Sequence, residues 1–148
     1  MRLVYISSPL RGDVERNIQR ARDYCAYAAS CGVIPLAPHT IFTQYLDDEQ
    51  PEQREQGLRM GRDLMWRCDD LWVVGSTISS GMREEIELAK KLYMPIFYVP
   101  EDMEQEHLLS QRAGGLCGKP AGWAVHSLGA QGLLRYRKAG KSGRMDRG

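Results

Sequence analysis

Leu71-Trp72-Val73-Val74-Gly75-Ser76-Thr77-Ile78-Ser79-Ser80-Gly81-Met82-Arg83-Glu84-Glu85-Ile86-Glu87-Leu88-Ala89 reads as a buried strand, a loop of small residues and the acidic start of a helix. Open α/β sheets bind ligands beside the carboxyl ends of their strands, so a carboxylate in the first turn of the following helix stands where chemistry is done. The helix macrodipole by itself favours acids there. Glu84 and Glu87 need no other explanation, and Glu87 also has Lys90 and Lys91 at ion-pair spacing. Glu85 differs. Its neighbours at helical spacing are Met82, Leu88 and Ala89, so it shares a side with apolar residues and has no cation one turn on. It is the candidate catalytic carboxylate, with dipole stabilisation as the competing explanation.

Upstream, the pattern alternates strand and helix. Arg2 to Ser7 has the composition of a short strand, and Ser8-Pro9-Leu10-Arg11-Gly12 that of a loop. Asp13 is placed to cap a helix from Val14 to about Ser30, with Ile18, Ala21, Cys25 and Ala28 on one face. Val33 to Leu36 predicts a second buried strand, and His39 to Gln50 a short helix or lid-like loop with Phe42, Tyr45 and Leu46 on its apolar side. Pro51 opens a helix to about Arg67, whose inner stripe is Leu58, Gly61, Leu64, Met65 and Cys68. Pro95 to Val99 is a further strand. Strands alternating with helices predict a parallel sheet covered on both faces.

The 148 residues make one domain's length, here residues 1–112, followed by a glycine-rich basic tail over 113–148. The tail holds seven Lys or Arg against one acid, Asp146, and reads either as a flexible end or as a segment that docks on a neighbouring subunit. Hydrophobic and charged fractions of 43% and 26% are those of a globular chain, and no apolar run approaches a membrane span. With no signal peptide in the pattern, a cytoplasmic protein is the expectation. A net charge of +1, and a tail whose charges lack interleaved stacking aromatics, give no reason to expect a nucleic-acid partner. Cys25, Cys31, Cys68 and Cys117 form no CxxC pair and have no histidine at zinc spacing, which argues against a structural metal or a disulfide framework. No metal and no cofactor is expected.

Tyr5 to Gly12, the helix carrying Asp63, and Ser79 to Glu85 all approach or flank the carboxyl edge of such a sheet. Arg11-Gly12 is either a plain turn or, with Ser7 and Ser8 and the amides of a helix start, a phosphate cradle. Asp63, between Arg62 and Leu64, suits a solvated helix position, and Ser79 or Ser80 suits an N-cap.

These residues resemble a known family. Tyr5-Ile6-Ser7-Ser8-Pro9-Leu10-Arg11-Gly12, Asp63-Leu64 followed by Cys68-Asp69-Asp70-Leu71-Trp72-Val73-Val74, and Ser79-Ser80-Gly81 running on to Glu85 and Ala89 are similar to the nucleoside 2-deoxyribosyltransferase superfamily, which includes the 2'-deoxynucleoside 5'-phosphate N-hydrolases. The likeness covers roughly Met1 to Pro100. Its most specific element is a glycine, Gly81, with a glutamate four residues on.

The resemblance implies a flavodoxin-like or Rossmann-like α/β domain, a homodimer or higher homo-oligomer, that cleaves the N-glycosidic bond of a nucleoside or nucleotide. By motif position Glu85 matches the nucleophile, Asp63 the aspartate that helps protonate the departing base, and Tyr5 the tyrosine that orients the nucleophile. Ser79 stands where transferases of the family often carry an aspartate and the phosphate-hydrolase branch a serine. With Arg11-Gly12 it points to a 5'-monophosphate substrate, bound by Ser7, Ser8, Arg11, Gly12, Ser79, Gly81 and Met82. Met82-Arg83-Glu84 departs from the small and aromatic residues usual at the centre of the motif. The expected reaction is a retaining double displacement, in which Glu85 attacks C1', Asp63 protonates the base, and water resolves the glycosyl-enzyme. Base exchange by a transferase and a non-catalytic nucleotide-binding domain are the alternatives.

Overall fold

The computed structural model describes residues 1–99 and the backbone of Ala124–His126. Strand β1 (Leu3–Ser7) leads through a loop to helix α1 (Val14–Ser30), then β2 (Ile34–Leu36), the short α2 (Pro38–Ile41), and a 3₁₀ turn over Phe42–Gln44. Next come α3 (Pro51–Met65), β3 (Asp70–Val74), α4 (Ser80–Lys91), β4 (Ile96–Val99) and β5 (Ala124–His126). The sheet order is β2-β1-β3-β4-β5; the first four strands are parallel and β5 pairs antiparallel with β4 at the edge. This is the three-layer α/β architecture expected from the alternation, in the flavodoxin-like order whose switch point lies between β1 and β3.

Alternation along β1 and β3 divides the interior in two. Val4, Ile6, Trp72 and Val74 pack with Ala21, Tyr24, Tyr27 and Ala28 of α1 on one face. Tyr5, Leu71 and Val73 pack with Met65, Met82, Ile86 and Ala89 beneath α3 and α4 on the other. Both faces of β3 are therefore apolar, as a central parallel strand requires.

The helix ends follow from their residues. The Asp13 carboxylate accepts from the Arg16 amide at 3.2 Å, a cap worth about 1 kcal/mol. Pro51 stands in the first turn of α3, where its missing N–H costs nothing. Ser79, of the two serines considered, caps α4 by accepting from the Met82 amide at 3.3 Å.

Two sequence expectations need correction. The second strand is not buried: β2 lies at the sheet edge and Ile34 is 40% exposed, so its apolar run reflected β-propensity rather than depth. Tyr45, assigned to the apolar side of its segment, is 60% exposed, while Leu46 packs near Gly57 of α3. Ala124–His126, inside a stretch of the basic segment from Trp123 to Leu128 that is apolar enough to order, supplies the edge strand; the rest of 113–148, and with it the domain boundary near 112, lies outside the described residues. Cys25 and Cys68 are free thiols, but Cys31 is disulfide-bonded. Spacing rules built for metal sites do not detect a single such bond. No helix among the described residues is long and apolar enough to cross a membrane.

At the amino edge, the Arg2 guanidinium grips Asp70 through Nε at 2.7 Å and its terminal nitrogen at 2.5 Å, and Asp70 is 4% exposed. The neighbouring Asp69 accepts from the Leu3 amide at 2.9 Å and donates its own amide to the Leu3 carbonyl at 2.7 Å. Together they pin the start of β3 to β1 and so fix the register that places their far ends. Removing the guanidinium leaves a buried carboxylate unpaired. Arg2→Ala is expected to lower unfolding free energy by about 1–3 kcal/mol, read from urea melts; an unchanged midpoint would show that the pair does not hold the register.

Candidate active site at the carboxyl edge

The loops after β1 and β3 leave the sheet side by side at the switch point. Gly12 and Gly75 sit in them with φ of +95° and +96°, a left-handed backbone that side chains resist. Beyond Gly75 the chain runs to the Ser79 cap and into α4. Glu85 lies on the second turn of α4, facing the sheet between Met82 and Ala89, both buried.

Two hydroxyls meet Glu85. Tyr5 donates to Oε1 at 2.8 Å and Ser7 donates to Oε2 at 2.5 Å. Tyr5 and Ser7 reach it together because residues two apart on a strand share a face. Gly61 of α3 covers the phenol, for a Cβ there would lie 3.4 Å from the Tyr5 oxygen.

Burial raises the Glu85 pKa, with Glu84 adding to the rise, while the Ser7 and Tyr5 hydrogen bonds oppose it. Desolvation, followed by the adjacent Glu85 charge, pushes the Tyr5 phenol well above its ordinary range, so it stays protonated and remains a donor. The carboxylate is thus held by two fixed neutral donors in place of water. Each of its oxygens keeps a lone pair that the hydroxyls do not use.

The remaining predicted residues fall into two groups. Ser8 and Arg11 line a cavity of about 220 Å³ on the α1 side, shared with Pro9, Asn17, Arg20 and Thr77. Asn17 holds that loop in place, donating its side-chain amide to the carbonyls of Leu10 and Arg11 at 3.1 and 2.9 Å. Gly12 gives the loop its turn. Ser7, expected in a phosphate cradle, turns instead to Glu85. Ser79 caps α4, Gly81 is exposed on its first turn, and Met82 is 1% exposed in the core beside Tyr5.

Asp63 stands apart. It is exposed on α3, two residues past Gly61, and residues two apart do not share a helix face. It occupies the solvated helix position that its neighbours Arg62 and Leu64 suggested.

Sequence reasoning missed Asn17, Arg20 and Thr77 as cavity walls, and His39, whose Nε2 lies 2.7 Å from the Ser8 Oγ. Asn17 and Arg20 carry a readable signal, since they recur at helical spacing just after Arg11. His39 comes from the segment read as a short helix or lid-like loop, and lies on the short helix α2.

A flavodoxin-like α/β domain with a desolvated, doubly hydrogen-bonded glutamate beside its switch point defines the class. The chain belongs to the family described as Domain of unknown function DUF7768, whose model matches residues 2–99. Among solved structures it is similar to a 2-deoxyribosyltransferase from the psychrotolerant bacterium Bacillus psychrosaccharolyticus, with 12% identity and a TM-score of 0.56 over 66% of this chain and 72% of that one. At that identity the likeness is one of fold. No curated protein sequence matches the chain.

A carboxylic acid with a raised folded pKa binds its proton more tightly folded than unfolded, so its ionisation costs stability above the unfolded value of about 4.3. The cost grows with pH until the folded value is passed. Glu85→Gln is therefore expected to be at least as stable as the parent at about pH 8, with the advantage vanishing towards about pH 4. A gain that grew on acidification instead would show the parent carboxylate to be better solvated than these contacts imply.

Proposed function

We propose that the protein cleaves the N-glycosidic bond of a nucleoside 5'-monophosphate, with Glu85 as nucleophile, releasing free base and sugar phosphate. The observation that carries this reading is the Glu85 carboxylate, desolvated and aligned by Tyr5 and Ser7, one residue step from a cavity walled by two arginines. Ser7 touches the nucleophile and Ser8 lines the cavity, so a sugar lying over this dipeptide would present C1' to one and its 5'-phosphate to the other. The resemblance in sequence motifs and the deoxyribosyltransferase fold both support the same chemistry.

In the first step a lone pair of Glu85 attacks C1' as the bond to the base breaks, giving a glycosyl ester and a departing base that takes up a proton. Charge on Glu85 is lost in this step. A site that penalises that charge by burial therefore favours the ester over the free carboxylate, while Tyr5 and Ser7 keep the carboxylate oriented for attack. Asp63, exposed on α3 and off the face that Gly61 turns to Tyr5, is left out of this step, and the departing base takes its proton from solvent. Water then attacks C1', the ester bond breaks, and Glu85 is regenerated.

The name of the structural neighbour favours a second reading, in which another base rather than water resolves the ester. Chromatography of nucleotides and nucleosides incubated with the protein, with and without a second free base, separates the cases. Free base and sugar phosphate alone identify a hydrolase. An exchanged nucleotide identifies a transferase, and ligand-induced thermal stabilisation without release of base identifies a binding domain.

Glu85→Ala should lower turnover by more than about 10³-fold while ligand binding persists. The ionised nucleophile should place the acid limb of the pH profile above the ordinary glutamate range, because its pKa is raised. Arg11→Ala should weaken nucleotides by roughly tenfold or more and spare nucleosides. Normal turnover in Glu85→Ala, or equal losses for both ligand classes in Arg11→Ala, would remove the respective assignment.

A further inference from the structure

The contact between Ser8 and His39 has no part in the chemistry above. Ser8 is 8% exposed and follows Ser7 directly, but serves the α1 side of the sheet, where it lines the cavity with Arg11, Asn17, Arg20 and Thr77. His39 arrives from α2, just past the carboxyl end of β2, which pairs with β1. Its Nε2 and the Ser8 Oγ are 2.7 Å apart. Burial pushes the imidazole down to about 4, so it is neutral at neutral pH. A neutral ring has one nitrogen that donates and one that accepts.

Two arrangements fit that distance. If Ser8 donates to a bare Nε2, the hydroxyl proton is consumed and only oxygen lone pairs face the cavity. If Nε2–H donates to Ser8, the hydroxyl proton is left to point into the cavity. The other walls decide between them. Arg11, Arg20 and Thr77 line the same space, residues whose side chains donate and which suit an anion, and lone pairs turned towards an anion would repel it.

We propose that His39 is a positioning residue: it donates Nε2–H to Ser8 and so aims the Ser8 hydroxyl as a donor at the phosphoryl group of the ligand. This rests on the reading of the cavity as a phosphate subsite. His39 touches no substrate, and acts through the direction it imposes on a neighbouring proton.

The test is calorimetric binding of a nucleoside 5'-monophosphate and of the matching nucleoside to the full-length Glu85→Gln protein, in which turnover is blocked. Adding His39→Leu or Ser8→Ala is expected to weaken the nucleotide roughly tenfold, with the nucleoside unchanged. The two changes together should cost no more than either one, since both remove the same donor. His39→Gln, which puts an amide N–H near the Nε2 position, should restore nucleotide affinity. Equal losses for nucleotide and nucleoside in His39→Leu, or a His39→Gln variant as weak as His39→Leu, would overturn the proposal while a retained Arg11 effect left the phosphate subsite standing. No preference for the nucleotide in the Glu85→Gln protein, with Arg11→Ala silent, would instead overturn the subsite itself and the proposal with it. Nitrogen-15 NMR of the unmutated protein gives a second measurement that no misfolded variant can obscure. A protonated Nε2 and bare Nδ1 on His39 support the assignment, and the opposite tautomer refutes it.

Discussion

A carboxylate withdrawn from water must find donors at fixed positions, and in this chain the requirement falls on Glu85. Its two oxygens are met by Tyr5 and Ser7, which share a face of β1 because they are two residues apart. That pairing needs β1 in one register, and the register is held at the opposite end of the strands by Arg2, Asp69 and Asp70. A slip of one residue would turn both hydroxyls to the α1 side and bring Val4 and Ile6 under α4. The need for close cover over the phenol also reaches α3, where Gly61 lets the helix backbone lie against Tyr5.

The same alternation lets one dipeptide serve two layers. Ser7 faces the glutamate beneath α3 and α4, and Ser8 faces the arginine-walled cavity beside α1. Parallel strands converge on this point because the chain leaves β1 for β2 on one side and returns for β3 on the other, which opens a crevice where the loops part. Adjacent residues at the end of β1 therefore reach groups drawn from α1, α2 and α4. The Glu85 carboxylate and the arginine-lined cavity are thereby reached from adjacent residues of one strand end.

Local chemistry was legible in the sequence and long-range contact was not. The Asp13 and Ser79 caps, Pro51 at its helix start, and the apolar side of Glu85 are all written within a few residues, and each appears in the structure as expected. The Tyr5 partnership was reached through motif resemblance rather than pattern. What escaped was set by chain closure over long separations: the Ser7–Glu85, Ser8–His39 and Arg2–Asp70 contacts span 78, 31 and 68 residues. A serine's hydroxyl looks the same in sequence whether it will meet a phosphate or a glutamate. The exposure of β2 escaped for a related reason, since β-branched residues mark a strand without saying how many neighbours it has.

Among the described residues, Asp70 is buried and Glu85 largely desolvated, and the difference between these two carboxylates is the strongest reason to read one of them as functional. Asp70 faces a guanidinium through two hydrogen bonds, an arrangement that neutralises its charge and ties two strands together; stability accounts for it fully. Glu85 faces two neutral hydroxyls, and the adjacent charge that acts on it is Glu84, of its own sign. As structure this is a poor solution, because a glutamine could accept from the same phenol without carrying a desolvated charge. Folded chains tolerate such local costs where the group has work to do, and acids whose pKa is raised by desolvation in a crevice are accordingly candidates for chemistry. No cation is among the described contacts of Glu85, in a protein that supplies one to its buried Asp70.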